Sequence, residues 1–598
     1  MNPSTAMARV IIDELVRCGI TDVVLAPGSR SAALALELAA AEGRGELTLH
    51  VRVDERSAAF LALGLGKVSG VPAVVVTTSG TAAVNLHPAV VEADLASVPL
   101  IALTADRPAA LRGVGANQTI EQVGLFGPSV RASVDLAPAV APAEGESFSA
   151  QSRVWRSTVA RAVAATTDVM RSGPVHLNVQ FVEPLVPAAD DADPQVQREA
   201  LASGPLAGRP DGRPWTADAR LMAGMGLPID EILEMLLDDA SIPERGLIVV
   251  GDHADGEAAE LVDELGDALG WPIIGEPSGN VSACDTSLAH GALLLGIPGF
   301  ADAHVPDVVI TVGRVGLSRA VQRHILRARV HIAVDAQPQW SDPTRSADVV
   351  VAACPLPPAE GEIGSEWLES WQRADLLAAA AIETVLAGGE VPELTGMHVA
   401  RACGQAVPEE GLFFVGPSWP VRHVYNFAAN ATGSAVTLCN RGTSGIDGCV
   451  STAWGSAVAA QRDSEAACIA LLGDLTFLYD LNGLRVPTGE ELPDLVYVVS
   501  DNNGGGIFSQ LEQGGEQFAP VFDRVFGTPL EADIPAAVSA LGFPCATAST
   551  SAELDAALRD ALQAGGVQVV VARTCTRTRE SEILGLVNQA VDQALATA

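Results

Sequence analysis

The sequence predicts an α/β protein made of three successive parallel-sheet domains, and three observations carry that prediction. The chain has 598 residues, and single cores stop growing at about 250–300 residues. Short, near-continuous Val/Ile/Leu runs bounded by turn residues recur along it, as expected of strands buried on both faces. Between them lie helical patterns of the length a parallel crossover needs.

In order, the first strands are expected in "DVVLAPGSR", "LTLHVRVDER", "VPAVVVTTSGTA", "VPLIALTADRP" and "GPVHLNVQF". Small-residue helices such as "SAAFLALGLGKVSG" supply the crossovers. After Phe181 the composition turns to Pro, Asp and Gly, which reads as an interdomain linker. A second unit follows with "GLIVVGDHAD", "WPIIGEPSGN", "DVVITVGRVG" and "RVHIAVDAQ". A third opens near Met397 and runs through "GLFFVGPSWPVR", "AVTLCNRGTSGIDG", "ACIALLGDL", "LVYVVSDNNGGG" and "VQVVVARTCTR". The expected boundaries are 1–185, a linker at 186–215, then 216–395 and 396–598.

Composition narrows the function classes. Hydrophobic residues make up 48% and charged residues 18%, the profile of a globular protein. No uninterrupted apolar stretch reaches the roughly 18 residues of a membrane span, and "MNPSTAMARVIIDELVRCGI" lacks a signal-peptide layout. Nine cysteines occur singly with no CxxC pair, which fits a reducing cytoplasm and neither a disulfide framework nor a zinc site. A formal charge of −37 argues against nucleic acid and anionic membrane as partners. Lys67 is the only lysine, so almost all positive charge is arginine.

In open parallel sheets, ligands sit at the carboxyl ends of the strands. There, "GDLTFLYDLN" and "SDNNGGGIF" each break from an apolar run into polar residues and glycine, with Asn502 falling 28 positions after Asp474. A carboxylate, an amide oxygen and accessible carbonyls along Gly504–Gly506 suit a hard cation that completes its shell with phosphate oxygens. Gly473 and the glycine run let the backbone approach a diphosphate. Asp, Asn and Gly are also the ordinary turn residues, so either piece alone is a plain turn. Together, at this spacing, they point to a metal–diphosphate site.

That pair resembles the signature of the thiamine diphosphate enzymes. The resemblance implies the fold of the pyruvate decarboxylase and acetohydroxyacid synthase group, with 1–185 binding the pyrimidine and 396–598 the diphosphate of thiamine diphosphate. It implies Mg2+ or Mn2+ on Asp474, Asn502 and the Gly504 carbonyl, with Gly473 beside the diphosphate. Glu55, after "LTLHVRVD", would be the catalytic glutamate that bonds the aminopyrimidine. Ser79, Gly80 and Thr81 would line the pyrimidine end, and Ile446 would wedge the cofactor into its bent form. Read without the resemblance, these are a solvated helix start, a helix cap and a core isoleucine. Glu55 and Asp474 lie on different domains, so the resemblance also implies a homodimer or homotetramer.

"APGSRSAALALEL", "TADRPAALRGVGANQTIEQVGLFG", "NRGTSGIDGCVSTAWG" and "NNGGGIFSQLEQ" narrow the match. They look like the 2-succinyl-5-enolpyruvyl-6-hydroxy-3-cyclohexene-1-carboxylate synthases of menaquinone biosynthesis, which join 2-oxoglutarate to isochorismate with loss of CO2. Both substrates are dicarboxylates, and arginine's planar fork is suited to them. The resemblance implies substrate contacts from Ser29, Arg30, Arg107, Asn117 and Gln118, and from Ser418, Arg422 and Arg441. Ile507, Phe508 and Leu511 would form an apolar wall. In an arginine-biased protein each arginine alone is equally well a surface charge.

Two departures stand out. Asp501 replaces the first of three asparagines usual in the family, and the middle-domain basic pair is reduced to Arg319 beside Ala320. His87 and His423 read as structural. The alternatives are another thiamine diphosphate-dependent 2-oxo acid decarboxylase or carboligase, and a non-catalytic thiamine-fold subunit. The latter would have lost Glu55 or Asp474, and both are present.

Overall fold

The structure, a computed structural model, describes residues 1–168, 171–192, 194–210, 212–215, 228–237, 242–253, 258–335, 337, 341–357, 366–388, 391–428, 433, 435–462 and 464–597. Among them it forms three wholly parallel sheets. The first contains β1 (Asp22–Leu25), β2 (Thr48–Val51), β3 (Ala73–Thr77), β4 (Leu100–Asp106), β5 (Ser133–Leu136) and β6 (Pro174–Gln180), in the order β2-β1-β3-β4-β6-β5. The second has β7 (Gly246–Val250), β8 (Ile273–Gly275), β9 (Val308–Val312), β10 (Val330–Val334) and β11 (Val349–Val351), ordered β11-β10-β9-β7-β8. The third holds β12 (Leu412–Val415), β13 (Val436–Leu438), β14 (Cys468–Gly473), β15 (Leu495–Asp501), β16 (Cys545–Ala548) and β17 (Val567–Arg573), ordered β13-β12-β14-β15-β17-β16.

Strands such as β3 and β4 are buried along their whole length, as their unbroken apolar runs require. Strand order reverses between β1 and β3 in the first sheet and between β12 and β14 in the third. At such switch points the flanking crossovers leave on opposite faces and open a crevice at the carboxyl ends. Ser29–Arg30 and Ser79–Gly80 follow β1 and β3, while Ser418 and Asp474 follow β12 and β14. The topology therefore puts these residues at the carboxyl ends of the strands that flank the two switch points.

The chain forms two compact units. The first comprises Met1–Met222 with Asp447–Ala460 and Asp480–Glu491. Its helix Glu55–Ser69 packs on the helix Cys449–Ala460 nearly backbone to backbone. A Cβ on Gly64 would lie 2.2 Å from Thr452 O, and one on Gly455 would lie 2.2 Å from Leu61 O. The expected linker, 186–215, includes the helix Pro194–Ala202, and Leu201 and Leu206 are buried. The expected start of the second domain, 216, lies outside the described residues.

The second unit comprises Ala223–Ile446, Gln461–Tyr479 and Leu492–Ala598. One apolar core joins its two sheets: Leu247 and Val249, Phe413 and Ile469, with Trp371 of the helix Glu366–Leu386. Among the described residues no helix is long and apolar enough to cross a membrane. None of the nine cysteines, all of them described residues, is joined in a disulfide.

Candidate active site

In the second unit, β14 ends at Gly473 and Asp474 opens the short helix Asp474–Tyr479. The Asp474 carboxylate accepts hydrogen bonds from Leu475 N and Gly504 N, each at 2.7 Å. Burial pushes its pKa up to about 7, against the lowering effect of those two bonds, and Asp501 adds to the rise. Asn502 Oδ1 is buried and has no hydrogen-bond partner among the described residues, a costly arrangement for an acceptor unless something binds it. Gly504 has φ +137°, and a Cβ there would lie 2.2 Å from Gly527 O, so the close backbone approach requires glycine.

Those oxygens fit a divalent cation. No cluster of three His, Cys, Asp or Glu side chains suited to a metal occurs among the described residues, so the shell would have to include amide, carbonyl and phosphate oxygens. Asp474 borders a cavity of about 550 Å³, lined also by Asp501, Asn503, Asp533 and Arg573. Asp501, the departure from the family pattern, pairs with Arg573 at 3.0 Å.

Around Ser418 the same unit gathers arginines. Ser418, with φ +72°, precedes the helix Trp419–Phe427 and accepts Arg422 Nη1 on its carbonyl at 2.8 Å. Burial lowers the proton affinity of Arg422, and the charges of Arg441 and Arg319 lower it further. Arg441 bonds Ser444 Oγ at 2.8 Å and lies 3.9 Å from Glu276. Glu276 is buried and accepts from Gly316 N at 2.8 Å and Leu317 N at 2.6 Å. Arg314 Nη1 donates to Gly442 O at 2.8 Å. The charges of Arg441 and Arg319 thus both act on Arg422, against the opposing charge of the buried Glu276, and Arg319 is the residue reduced to half a basic pair in the sequence. Ile507 and Phe508 lie half-buried in the 3-10 segment Gly506–Gln510, with Leu511 exposed at its end. Ile446 is also exposed in this chain.

In the first unit, Arg30 donates to Phe181 O at 3.0 Å from its guanidinium and to Thr78 Oγ1 at 3.3 Å from its backbone. Arg107 follows β4 and bonds Ser79 Oγ and, at 2.6 Å, Gln118 O. Burial and the charge of the neighbouring Arg30 lower the proton affinity of Arg107, against the opposing charge of Asp106. Gln118, with φ +54°, returns a bond from Nε2 to Ser79 O at 2.9 Å. Gly80, φ +86°, donates to Gln122 Oε1 at 2.9 Å, and Thr81 starts the next helical turn. Ser29 O takes part in the turn to Ala32, and Asn117 O accepts from Thr119 Oγ1 at 3.2 Å.

Glu55 is the first residue of its helix, capped by Asp54, whose side chain accepts from Arg56 N and Ser57 N. It is half-buried on a cavity of about 450 Å³, lined also by Arg56, Asn85, Asn482 and Arg485. Neither His87 nor His423 contradicts a structural role. His87 packs edge-on to Phe126, and His423 is buried with its pKa pushed down to about 3.

Sequence reasoning missed three supporting residues. Gln122 bonds both Gly80 N and Asn178 Oδ1, each at 2.9 Å. Glu276 anchors the Gly316–Leu317 turn, and Asp480, wholly buried, accepts from Ser57 Oγ at 3.1 Å and Ser451 N at 2.8 Å. Two of the three left a faint signal: a carboxylate directly after an apolar run, in "WPIIGE" and "LTFLYD".

Two family models match, the N-terminal thiamine pyrophosphate-binding domain over residues 5–125 and the C-terminal one over 426–572. A 2-succinyl-5-enolpyruvyl-6-hydroxy-3-cyclohexene-1-carboxylate synthase of Saccharopolyspora erythraea is 42% identical over 574 residues, 96% of each chain. Those of Thermobifida fusca and Nocardia farcinica are 42% identical over 577 and 553 residues, covering 96% of both chains for the first and 91% of this chain and 92% of the other for the second. The solved structure of a putative thiamin diphosphate-dependent enzyme from Mycobacterium smegmatis superposes with TM-score 0.65 over 95% of this chain and 99% of that one. At 19% identity it is a likeness of fold alone. With identity at that level along nearly the whole length of the named relatives, the chain belongs to the thiamine diphosphate-dependent 2-succinyl-5-enolpyruvyl-6-hydroxy-3-cyclohexene-1-carboxylate synthase family.

Proposed function

We propose that this chain decarboxylates 2-oxoglutarate and adds the resulting succinyl unit to isochorismate, forming 2-succinyl-5-enolpyruvyl-6-hydroxy-3-cyclohexene-1-carboxylate and CO2 in menaquinone biosynthesis. The observation that carries this reading is the clustering of arginines, Arg30 near Arg107 and both Arg441 and Arg319 near Arg422, in a protein of net charge −37. Keeping like charges together is unfavourable unless an anion joins them, and dicarboxylates are the anions this reaction uses.

Thiamine diphosphate, when bound, supplies the electron sink that stabilises the carbanion left by CO2. The chain's own residues do the rest. Asp474, Asn502 Oδ1 and the Gly504 carbonyl would hold Mg2+ or Mn2+, and Gly473 would leave room for the diphosphate. Ser79, Gly80 and Thr81 would line the pyrimidine end, and Ile446 would be the apolar wedge against the cofactor. Glu55 holds the proton shared with the aminopyrimidine ring. Arg30, Arg107, Arg422 and Arg441, with Ser29, Asn117, Gln118 and Ser418, bind and orient the substrate carboxylates, and Arg319 adds charge from the middle domain. Ile507, Phe508 and Leu511 exclude water from the reacting carbon.

The chain works as at least a homodimer, in the cytoplasm, with domains at 1–185, 216–395 and 396–598. The deciding experiment is CO2 release from 2-oxoglutarate with thiamine diphosphate and Mg2+, with and without isochorismate. Release that needs isochorismate and consumes it one for one is expected. Release without it, or preference for pyruvate, would replace this reaction by another 2-oxo acid decarboxylation or carboligation.

A further inference from the structure

Glu55 sits in the stretch Asp54–Ser57, and every other member of that stretch is gripped by one short segment later in the chain. Asp480 accepts from Ser57 Oγ at 3.1 Å and lies 3.9 Å from the Arg56 guanidinium. Asn482 Nδ2 donates to Asp54 Oδ2 at 3.0 Å. The other oxygen of Asp54 already caps the helix through Arg56 N at 2.9 Å and Ser57 N at 3.3 Å. The gripping segment is itself fixed. Ser451 N donates to Asp480 Oδ2 at 2.8 Å, Gly483 N donates to Asp480 O at 2.8 Å, and a Cβ on Gly483 would lie 2.6 Å from Ser451 Oγ.

We propose that Asp480 and Asn482 are positioning residues for Glu55: they hold the helix start on both sides of it and so fix where its carboxylate points. The proposal rests on the reading of Glu55 as the group that shares a proton with the aminopyrimidine. A fully buried carboxylate spent on a serine hydroxyl, a backbone amide and an arginine is an expensive way to cap one helix, whose Asp54 cap is already complete. What it adds is rigidity at the one position between its contacts. A proton-sharing group misplaced by about 1 Å loses about a hundredfold in rate.

The test is exchange of the thiamine diphosphate C2 proton with deuterium in the Mg2+-loaded enzyme, measured by quenched NMR beside the cofactor's Kd and the protein's Tm. Asp480→Ala is expected to slow exchange about tenfold or more while the Kd hardly moves. Asp480→Asn, which keeps an acceptor for Ser451 N and a partner for Ser57, is expected to restore most of the rate. The double variant S57A/N482A leaves the buried carboxylate in place and is expected to slow exchange as well, so it carries the test where Asp480→Ala does not fold. Glu55→Gln is measured in parallel. Wild-type exchange in S57A/N482A alongside abolished exchange in Glu55→Gln would overturn the positioning role alone. Wild-type exchange in Glu55→Gln would instead overturn the reading of Glu55 on which it stands.

Discussion

Asp474 and Asp480 stand six positions apart in "GDLTFLYDLN", both are buried, and burial raises both, to about 7 and about 6. By proton affinity they are twins. Their surroundings separate them. Asp480 is enclosed by Ser57, Ser451 N and Arg56, all of them donors. Asp474 borders a cavity, and the buried Asn502 Oδ1 in the adjoining loop has no partner among the described residues. A raised pKa therefore reports burial, whereas an unpartnered acceptor beside a cavity reports a place for a ligand.

The largest expected effect is at the open member of the pair. Asp474→Ala should lower thiamine diphosphate-dependent CO2 release by about a hundredfold or more and abolish the Mg2+ dependence of cofactor binding seen by calorimetry. Equal loss of Mg2+-dependent binding in Asp480→Asn would erase the distinction. Next comes Gly504→Ala, whose Cβ meets Gly527 O at 2.2 Å on a backbone with φ +137°. Strain of about 1–3 kcal/mol should weaken cofactor binding measurably while leaving Tm close to wild type. Unchanged affinity would show that the loop relaxes without disturbing Asn502.

The smallest effect concerns pH and the closed member. The folded pKa of Asp480 lies above its ordinary value of 3.8, so the native state holds this proton more tightly than the unfolded chain does. Its contribution to stability is fully present below about pH 4 and is lost as pH rises through about 6. The Asn variant cannot titrate there. The stability of wild type relative to Asp480→Asn, from urea unfolding of the cofactor-free protein, should therefore fall between pH 4 and pH 6. A flat difference would mean that Arg56 and the two hydrogen-bond donors cancel the effect of burial.

Strand content and parallel topology were legible because they rest on local patterns: near-continuous Val/Ile/Leu runs bounded by turn residues. Arg319 was half legible, since nothing in "VGRVGLSRAVQRH" tells which arginine faces Arg422. Glu276, Gln122 and Asp480 were not legible as parts of the site. Their value comes from partners such as Gly316, Gly80 and Ser57, 40, 42 and 423 positions away, and a carboxylate after an apolar run looks the same whether it faces water or a serine. The helix Pro194–Ala202 was hidden by flanking Pro, Asp and Gly, and its apolar residues are too few to show a period.

The first unit is closed by Asp447–Ala460 and Asp480–Glu491, segments made long after the helix Glu55–Ser69 that they cover. A growing chain thus carries that helix with Gly64 and its neighbours bare while several hundred further residues are translated, an interval on the order of tens of seconds. Its amino-terminal sheet is complete at Gln180, yet the unit around it cannot close until Glu491 has left the ribosome. A fragment ending near Met222 keeps that helix flank uncovered for good, an apolar, small-residue surface of the kind that chaperones hold and aggregates grow from.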